Sequence, residues 1–259
     1  MKYFLQIAYD GTAYRGWQRQ EGVLGIQETL EETLSQVLGE TISVFGCGRT
    51  DAKVHATQYF VHMEVNAKWD YDLVYRLNQN LPNDIAVFEV FSVADDAHAR
   101  YDVSERTYEY YIHTNKNPFF DDRSFLYQHK KLDCERMKTA VNLLLNYTDY
   151  LSFCKTPDHN NTTICTVTGV SFIWTKSKDQ MKFTITANRF LRGMVRVIVQ
   201  RLVDIGRGDL SLEEFEEMLL KPKSPEIKSM VSPSGLYLTK VCYSYHDSPF
   251  FTKPPPYFN

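Results

Sequence analysis

Residues 41–65, TISVFGCGRTDAKVHATQYFVHMEV, contain two strand patterns joined by a polar loop. TISVF is strand-like, and from Tyr59 to Val65 the side chains alternate with the period of two that is typical of strands. The segment between them, GCGRTDAKVHA (46–56), is therefore expected to be a loop between two strands. Catalytic groups are often carried on such loops, where a rigid scaffold holds them.

The 46–56 loop surrounds one carboxylate, Asp51, with the cationic residues Arg49 and Lys53. A lone carboxylate among cations can act as a nucleophile without a metal, because it can attack a sugar carbon and later leave. The alternative is a turn aspartate paired with Arg49. His55 has no evident Asp or Ser partner and is expected to be structural. Cys47 lacks the His and Asn arrangement that thiol catalysis requires and is expected to be a buried thiol.

Outside this loop, both halves of the chain are predicted to consist of strands flanked by helices. Strands are expected at 3–9, 85–91, 106–114, 164–174, 181–187 and 235–245, and helices at 26–38, 71–80, 137–145, 189–203 and from 211 onward. This alternation predicts the α+β class, with two related halves at 1–104 and 105–247. A Pro-rich tail follows at 248–259.

The segment TAYRGWQRQ (12–20) combines aromatic rings with Arg15 and Gln18. Such side chains contact phosphates and stack on unpaired bases, so the segment is a candidate RNA-binding loop. An ordinary solvated loop is the alternative interpretation of the same composition.

Two features of the second half also fit RNA binding. In the helix predicted over 189–203, Arg189, Arg192 and Arg196 recur at spacings of three and four, which predicts a cationic ridge on one face. A solvated helix face would have the same spacing. Tyr108, in the strand SERTYEYYI, is expected either to stack on an extruded base or to belong to the core.

Composition limits the classes of protein that the chain can be. The 259 residues are 43% hydrophobic and 14% aromatic, which indicates a folded protein. The formal net charge of −3 does not by itself indicate a nucleic-acid binder. Five cysteines without a CxxC pair argue against disulfides and zinc. The sequence has no evident leader or membrane span, so a cytoplasmic location is expected.

Six segments, in order, resemble the TruA family of tRNA pseudouridine synthases. They are YDGTAYRGWQRQ, GCGRTDAKVHA, LNQNLPNDIAV, HARYDVSERTYEYYI, NRFLRGMVRVIV and GLYLTKVCY, and together they extend over nearly the whole chain. By this resemblance Asp51 is the catalytic aspartate, Tyr108 stacks on the target base, and Arg196 pairs with the aspartate. Lys53 is a departure, because the family usually has Gly there. It either alters the loop backbone or adds a phosphate contact.

The resemblance also implies how the protein works. It implies two pseudo-symmetric α+β halves in one continuous antiparallel sheet, a homodimer, and pseudouridine formation at positions 38–40 in the anticodon arm of tRNA. No metal, nucleotide or other cofactor is expected, because the reaction is an isomerisation. The rival functions are a non-catalytic tRNA-binding module, which would not need Asp51, and an Asp-dependent nucleosidase, which would release uracil.

Overall fold

The structure is a computed structural model that describes residues 1–66, 68–129, 131–159, 161–175, 177, 179–224 and 229–246. The predicted tail at 248–259 lies outside the described residues. In chain order the elements are β1 (Lys2–Tyr9), α1 (Ile26–Leu38), β2 (Val44–Gly46), β3 (His55–Glu64), α2 (Leu73–Asn80), β4 (Ile85–Ser92), β5 (Val103–His113), β6 (Phe125–Leu126), α3 (Cys134–Leu143), β7 (Val167–Trp174), β8 (Gln180–Ala187), α4 (Met194–Arg207), α5 (Leu212–Leu220) and β9 (Leu236–Tyr243).

These elements belong to two compact units, one formed by the described residues of 1–104 and 237–246, the other by those of 105–236. The α+β class predicted from the sequence is confirmed. The last strand differs from the sequence-based division, which assigns it to the second half. Its pairing with β3, His55 opposite Tyr237, puts β9 from Tyr237 onward in the first unit.

In the first unit the strand order is β4-β1-β3-β9, and β2 pairs with β3. The β1–β3, β1–β4 and β2–β3 pairs are antiparallel, whereas β3 and β9 run parallel, so the expectation of a purely antiparallel sheet is wrong at this pair. Helix α1 buries the apolar positions Ile26, Leu30, Leu34 and Leu38 that its sequence period predicts. Each fully buried leucine contributes about 2 kcal/mol relative to an exposed one.

In the second unit β8 lies between β5 and β7, both antiparallel to it, and β6 pairs with β5 in parallel. Strand β8 follows the predicted alternation, with Met181, Phe183 and Ile185 buried and the residues between them half-buried. Helix α5 begins with the predicted capping box, in which the Ser211 side chain accepts the Glu214 N–H and the Glu214 side chain accepts the Ser211 N–H. No helix in the described residues is both long and apolar enough to cross a membrane.

Helix α4 begins at Met194 rather than at residue 189. Gly193 precedes it with φ 72° and ψ −1°. This left-handed conformation is not that of a right-handed α-helix, so residues 189–192 cannot belong to the same helix as Met194. Of the three arginines predicted to form the ridge, Arg189 and Arg192 therefore lie before the helix, and Arg196 alone lies on it. The prediction of a cationic ridge along one helix face is wrong. The apolar stripe in the sequence continues across Gly193, but the sequence does not reveal the backbone conformation that interrupts the predicted helix there.

We expect Gly193→Ala to lower the free energy of unfolding by about 1 to 2 kcal/mol, because an alanine is strained in the left-handed region. A Cβ at this position would also lie 3.2 Å from the Cβ of Lys155. The measurement is urea unfolding of both proteins.

Gly169→Ala is the matched control, because a Cβ there would have its nearest neighbours at 3.7 Å and φ is not positive. We expect its stability to be unchanged or slightly higher. Equal losses in the two variants would contradict the assignment of strain to residue 193.

Candidate active site

The loop between β2 and β3 is attached to the strands of the first unit at several points. The Cys47 N–H donates to the Phe60 carbonyl at 2.8 Å, and the Tyr59 hydroxyl donates to the Gly48 carbonyl at 2.5 Å. The hydroxyls of Tyr9 and Thr50 are hydrogen-bonded at 2.8 Å. These contacts fix the chain on the N-terminal side of Asp51.

Asp51 begins a turn that the Val54 N–H closes by donating to the Asp51 carbonyl at 3.2 Å. Lys53, at the third position of this turn, has φ 63°, whereas Ala52 is not among the residues with positive φ. A positive φ at the third position alone is the pattern of a type II turn. Asp51 is half-buried and Lys53 is exposed.

The 12–20 loop is bound to this turn by its main chain. The Trp17 N–H donates to the Thr50 carbonyl, and the Lys53 N–H donates to the Tyr14 carbonyl, both at 3.2 Å. Between these bonds lies Gly16, with φ 96°, where a Cβ would be 2.5 Å from the Thr50 oxygen. A side chain at residue 16 would therefore separate the two loops.

In the two anchored loops, the predicted binding residues of the first unit differ in burial from their neighbours. Tyr14 and Trp17 are buried, whereas Arg15 and Gln18 are exposed. Arg49, two residues before Asp51, is also exposed. The structure thus brings the predicted residues Arg15, Gln18, Arg49 and Asp51 together on two adjoining loops of the first unit. It differs from the alternative of an ordinary solvated loop, because residues 14, 16 and 17 are packed and hydrogen-bonded.

His55 holds the other end of the loop. Its Nδ1 lies 3.1 Å from the Gly11 nitrogen and 3.1 Å from Oδ1 of Asp10, so it accepts the Gly11 N–H when neutral and pairs with Asp10 when protonated. The ring is buried and stacks on Tyr237 at a centroid distance of 4.5 Å. The sequence did not indicate this Asp10 partner, because Asp10 is recognisable only as part of a turn dipeptide. The structural role expected for His55 fits this environment.

Asp10 is a strongly perturbed carboxylate. Burial alone would raise its pKa, but hydrogen bonds from His55 and Thr12 outweigh burial and hold the pKa of Asp10 well below its usual range. Both the N–H and the hydroxyl of Thr12 donate to Oδ1, at 3.0 and 2.6 Å. Asp10 thus stabilises the fold in its charged form.

Cys47 is fully buried, as expected of a structural thiol. None of the five cysteines is in a disulfide, and two of them, Cys134 and Cys242, are half-buried. The Cys47 main chain contributes to the loop anchor, but its side chain has no route to a substrate.

In the second unit Tyr108 lies on β5 and is half-buried. Its ring meets Phe190 edge to face, with centroids 4.9 Å apart and planes at 83°. By contrast Tyr110, two residues on along the same face, is fully buried and donates its hydroxyl to the Ser232 carbonyl at 2.7 Å. Tyr108 is therefore less buried than the core residue Tyr110.

Arg196 lies in the first turn of α4 and is half-buried. Its Nε donates to the Val231 carbonyl at 3.0 Å, which fixes the plane of the guanidinium group. Val231 precedes Ser232, the residue that binds Tyr110, so one short segment positions both the arginine and the strand that carries Tyr108. No sequence pattern indicated this segment.

The other arginines of this region are in different environments. Arg192 is exposed just before α4, and Arg189 is half-buried. Arg201 and Arg207 both pair with Asp204, at 3.1 and 2.9 Å, and Arg207 also pairs with Asp209 at 2.6 Å, so both arginines are engaged within the unit. Of the predicted binding residues in this unit, Tyr108, Arg192 and Arg196 remain candidates for RNA contact.

We expect Asp10→Asn to lower the free energy of unfolding by about 1 to 2 kcal/mol at pH 7. Because the folded state lowers the pKa of Asp10, the stabilisation is complete above the unfolded pKa of about 3.9 and is lost as the pH falls below it. Urea unfolding at pH 7 and at about pH 2.5 tests this, and the difference between the two proteins is expected to shrink at the lower pH.

Asp70→Asn, at an exposed position, is the control and should change stability little at either pH. A difference between wild type and Asp10→Asn that stays constant across this pH range would contradict the role assigned to the carboxylate.

Comparisons with known proteins agree with the motifs and the fold. A family model described as tRNA pseudouridine synthase matches residues 140–244. The tRNA pseudouridine synthase A of Bacteroides fragilis is 40% identical over 246 residues, which cover 93% of this chain and 96% of that protein. The enzyme of the same name from Porphyromonas gingivalis is 38% identical over 93% of this chain and 97% of its own length.

A more distant organism gives the same result. The tRNA pseudouridine synthase A of Salmonella arizonae is 38% identical over 256 residues, which cover 98% of this chain and 93% of that protein. Identity of this level over nearly the full length confirms the resemblance predicted from the six motifs: the chain belongs to the tRNA pseudouridine synthase A family, whose members are isomerases.

Proposed function

We propose that this tRNA pseudouridine synthase acts at positions 38–40 of the tRNA anticodon arm and uses Asp51 as its nucleophile. The observation that carries the proposal is the 51–54 turn, whose main chain is hydrogen-bonded to the 12–20 loop and which carries the half-buried Asp51; Arg15 and Arg49 are exposed on the same two loops. A nucleophile must be oriented as well as charged, and main-chain anchoring supports such orientation.

In the proposed reaction the N1–C1′ bond of uridine breaks, the uracil rotates, and C5 bonds to C1′. The C5 proton leaves and N1 is protonated, so the product is an isomer of the substrate. Asp51 attacks C1′ and is displaced when C5 returns to the sugar. Removal of the C2′ proton by the same carboxylate is the other route open to it.

A uridine inside a stem must leave its stack before Asp51 can reach the sugar, at a cost of a few kcal/mol. We propose that stacking of Tyr108 on the extruded base offsets about 1 to 3 kcal/mol of this cost. The incomplete burial of Tyr108 supports this role. Arg49, Arg192, Arg15 and Gln18 are proposed to bind the RNA backbone, which their exposure supports.

Arg196 is proposed to orient the reacting groups rather than only to attract phosphate. Its Nε is engaged by the Val231 carbonyl, so the guanidinium plane is fixed before substrate arrives. We further propose that the protein acts as a homodimer, and that it is cytoplasmic because its tRNA substrate is matured there. The family resemblance is the support for the dimer.

We expect wild type, incubated with an unmodified tRNA transcript and no added cofactor, to form pseudouridine at positions 38–40. Asp51→Asn and Asp51→Ala should lower the single-turnover rate by at least about 1,000-fold, because the nucleophile is lost. Chemical labelling and mapping of pseudouridine is the measurement, with thermal unfolding as the check on folding.

Three results would contradict this proposal. Pseudouridine that persists with Asp51→Ala would show that another residue, or a contaminant, does the chemistry. Binding of tRNA by wild type without any pseudouridine would favour a non-catalytic module. Release of free uracil would favour a nucleosidase.

We expect Arg196→Lys to lower the single-turnover rate by about 10- to 100-fold, while the Kd for tRNA changes by less than about 3-fold. A lysine retains the charge but cannot bind Val231 and orient a planar group at once. Rapid-quench kinetics and filter binding measure the two quantities.

Arg201→Lys is the matched control, because Arg201 lies on the same helix and binds Asp204. Its turnover should equal that of wild type. Equal turnover in wild type and Arg196→Lys would overturn the orienting role.

A further inference from the structure

Lys53 occupies a backbone conformation that its residue type disfavours. In the described residues, only Lys53 and Asp122 combine a side chain with a positive φ, and for Lys53 the value is 63°. The left-handed region costs an L-residue about 1 kcal/mol or more, and glycine occupies it without this strain. Strained residues persist where the surroundings over-determine them, and they concentrate at functional sites.

The surroundings of Lys53 do determine its backbone. Its N–H donates to the Tyr14 carbonyl, and the next residue, Val54, closes the turn onto Asp51. On the far side, Gly11 lies so close that a Cβ on it would be 2.1 Å from the Val54 oxygen. The turn is therefore held from both sides, and residue 53 must accept the left-handed conformation whatever its side chain is.

The lysine side chain is placed where an RNA substrate brings negative charge. It is exposed, two residues from Asp51, and the carbonyl that binds its N–H belongs to the residue before the exposed Arg15. With Arg49, this makes three exposed cations on the two hydrogen-bonded loops, one of which carries the half-buried Asp51. Each ribose in RNA has a phosphate on both sides, so a nucleotide that reaches Asp51 brings phosphates next to this turn.

We propose that Lys53 contacts the RNA phosphate backbone beside the target nucleotide. This contact is the reason that a lysine occupies the strained position. The inference rests on the proposed function, because it takes Asp51 as the residue that the ribose reaches. It adds a substrate contact whose signature is electrostatic. A lysine acts here as a point charge, so an arginine should replace it and a neutral residue should not.

The test compares Lys53→Gly, Lys53→Asn and Lys53→Arg in binding to a tRNA transcript between about 50 and 200 mM salt. The glycine and asparagine variants should bind several-fold more weakly at low salt. The slope of log K against log salt should become less negative by about 1, which is the value for one lost phosphate contact. Lys53→Arg should retain the wild-type slope. For the neutral variants the single-turnover rate at saturating tRNA should fall less than the affinity does.

Two further measurements separate this contact from a structural role. Lys53→Gly should unfold at the same urea concentration as wild type or a higher one, since glycine relieves the strain. Lys138→Asn, at an exposed lysine of α3, controls for the loss of any one positive charge and should keep the wild-type slope.

An unchanged slope in Lys53→Gly would overturn the proposal, and a loss of stability with an unchanged slope would assign the lysine to an intramolecular contact instead. Failure of the proposed function is distinguishable, because wild type itself would then form no pseudouridine at positions 38–40.

Discussion

Two main-chain hydrogen bonds on either side of Asp51 determine the arrangement of the first unit's loops. The Thr50 carbonyl accepts the Trp17 N–H, and the Lys53 N–H donates to the Tyr14 carbonyl. Peptide groups make these bonds whatever side chains they carry, so the carboxylate is positioned by backbone rather than by exchangeable surface contacts. The same bonds bury Tyr14 and Trp17 and leave Arg15 exposed. Asp51 and the loop that carries Arg15 are thus placed by one set of contacts.

In the second unit, one short segment, Val231 and Ser232, positions two side chains through its carbonyl groups. The hydroxyl of Tyr110 is fully buried and therefore needs an acceptor, which the Ser232 carbonyl supplies. Burial raises the pKa of Tyr110 well above its ordinary value, with Arg196 opposing the shift, so the tyrosine remains a neutral donor. The adjacent carbonyl, Val231, takes the Arg196 Nε. The strand of Tyr108 and the helix of Arg196 are therefore tied to neighbouring peptide groups.

Positive φ angles show where this chain tolerates strain. At Gly16 and Gly193 the left-handed conformation is occupied by glycine, and in both places a side chain would also meet nearby atoms. At Lys53 the same conformation carries a long cationic side chain two residues from Asp51. The phosphate contact proposed for Lys53 is a reason for a lysine in this conformation.

Local patterns were enough to predict every strand but the short β6, the approximate limits of most helices, the α+β class and the loop that carries Asp51, because period and turn chemistry act between neighbouring residues. They failed at α4, where an apolar stripe crosses Gly193, and at the predicted arginine ridge, since φ at a glycine is set by its packing. Only the tertiary structure decided three contacts: the pairing of His55 with Asp10, the parallel β3–β9 pair, and the hydrogen bond from Arg196 to the Val231 carbonyl. Each joins residues far apart in the chain, and no local period records which distant peptide group or side chain will be nearest.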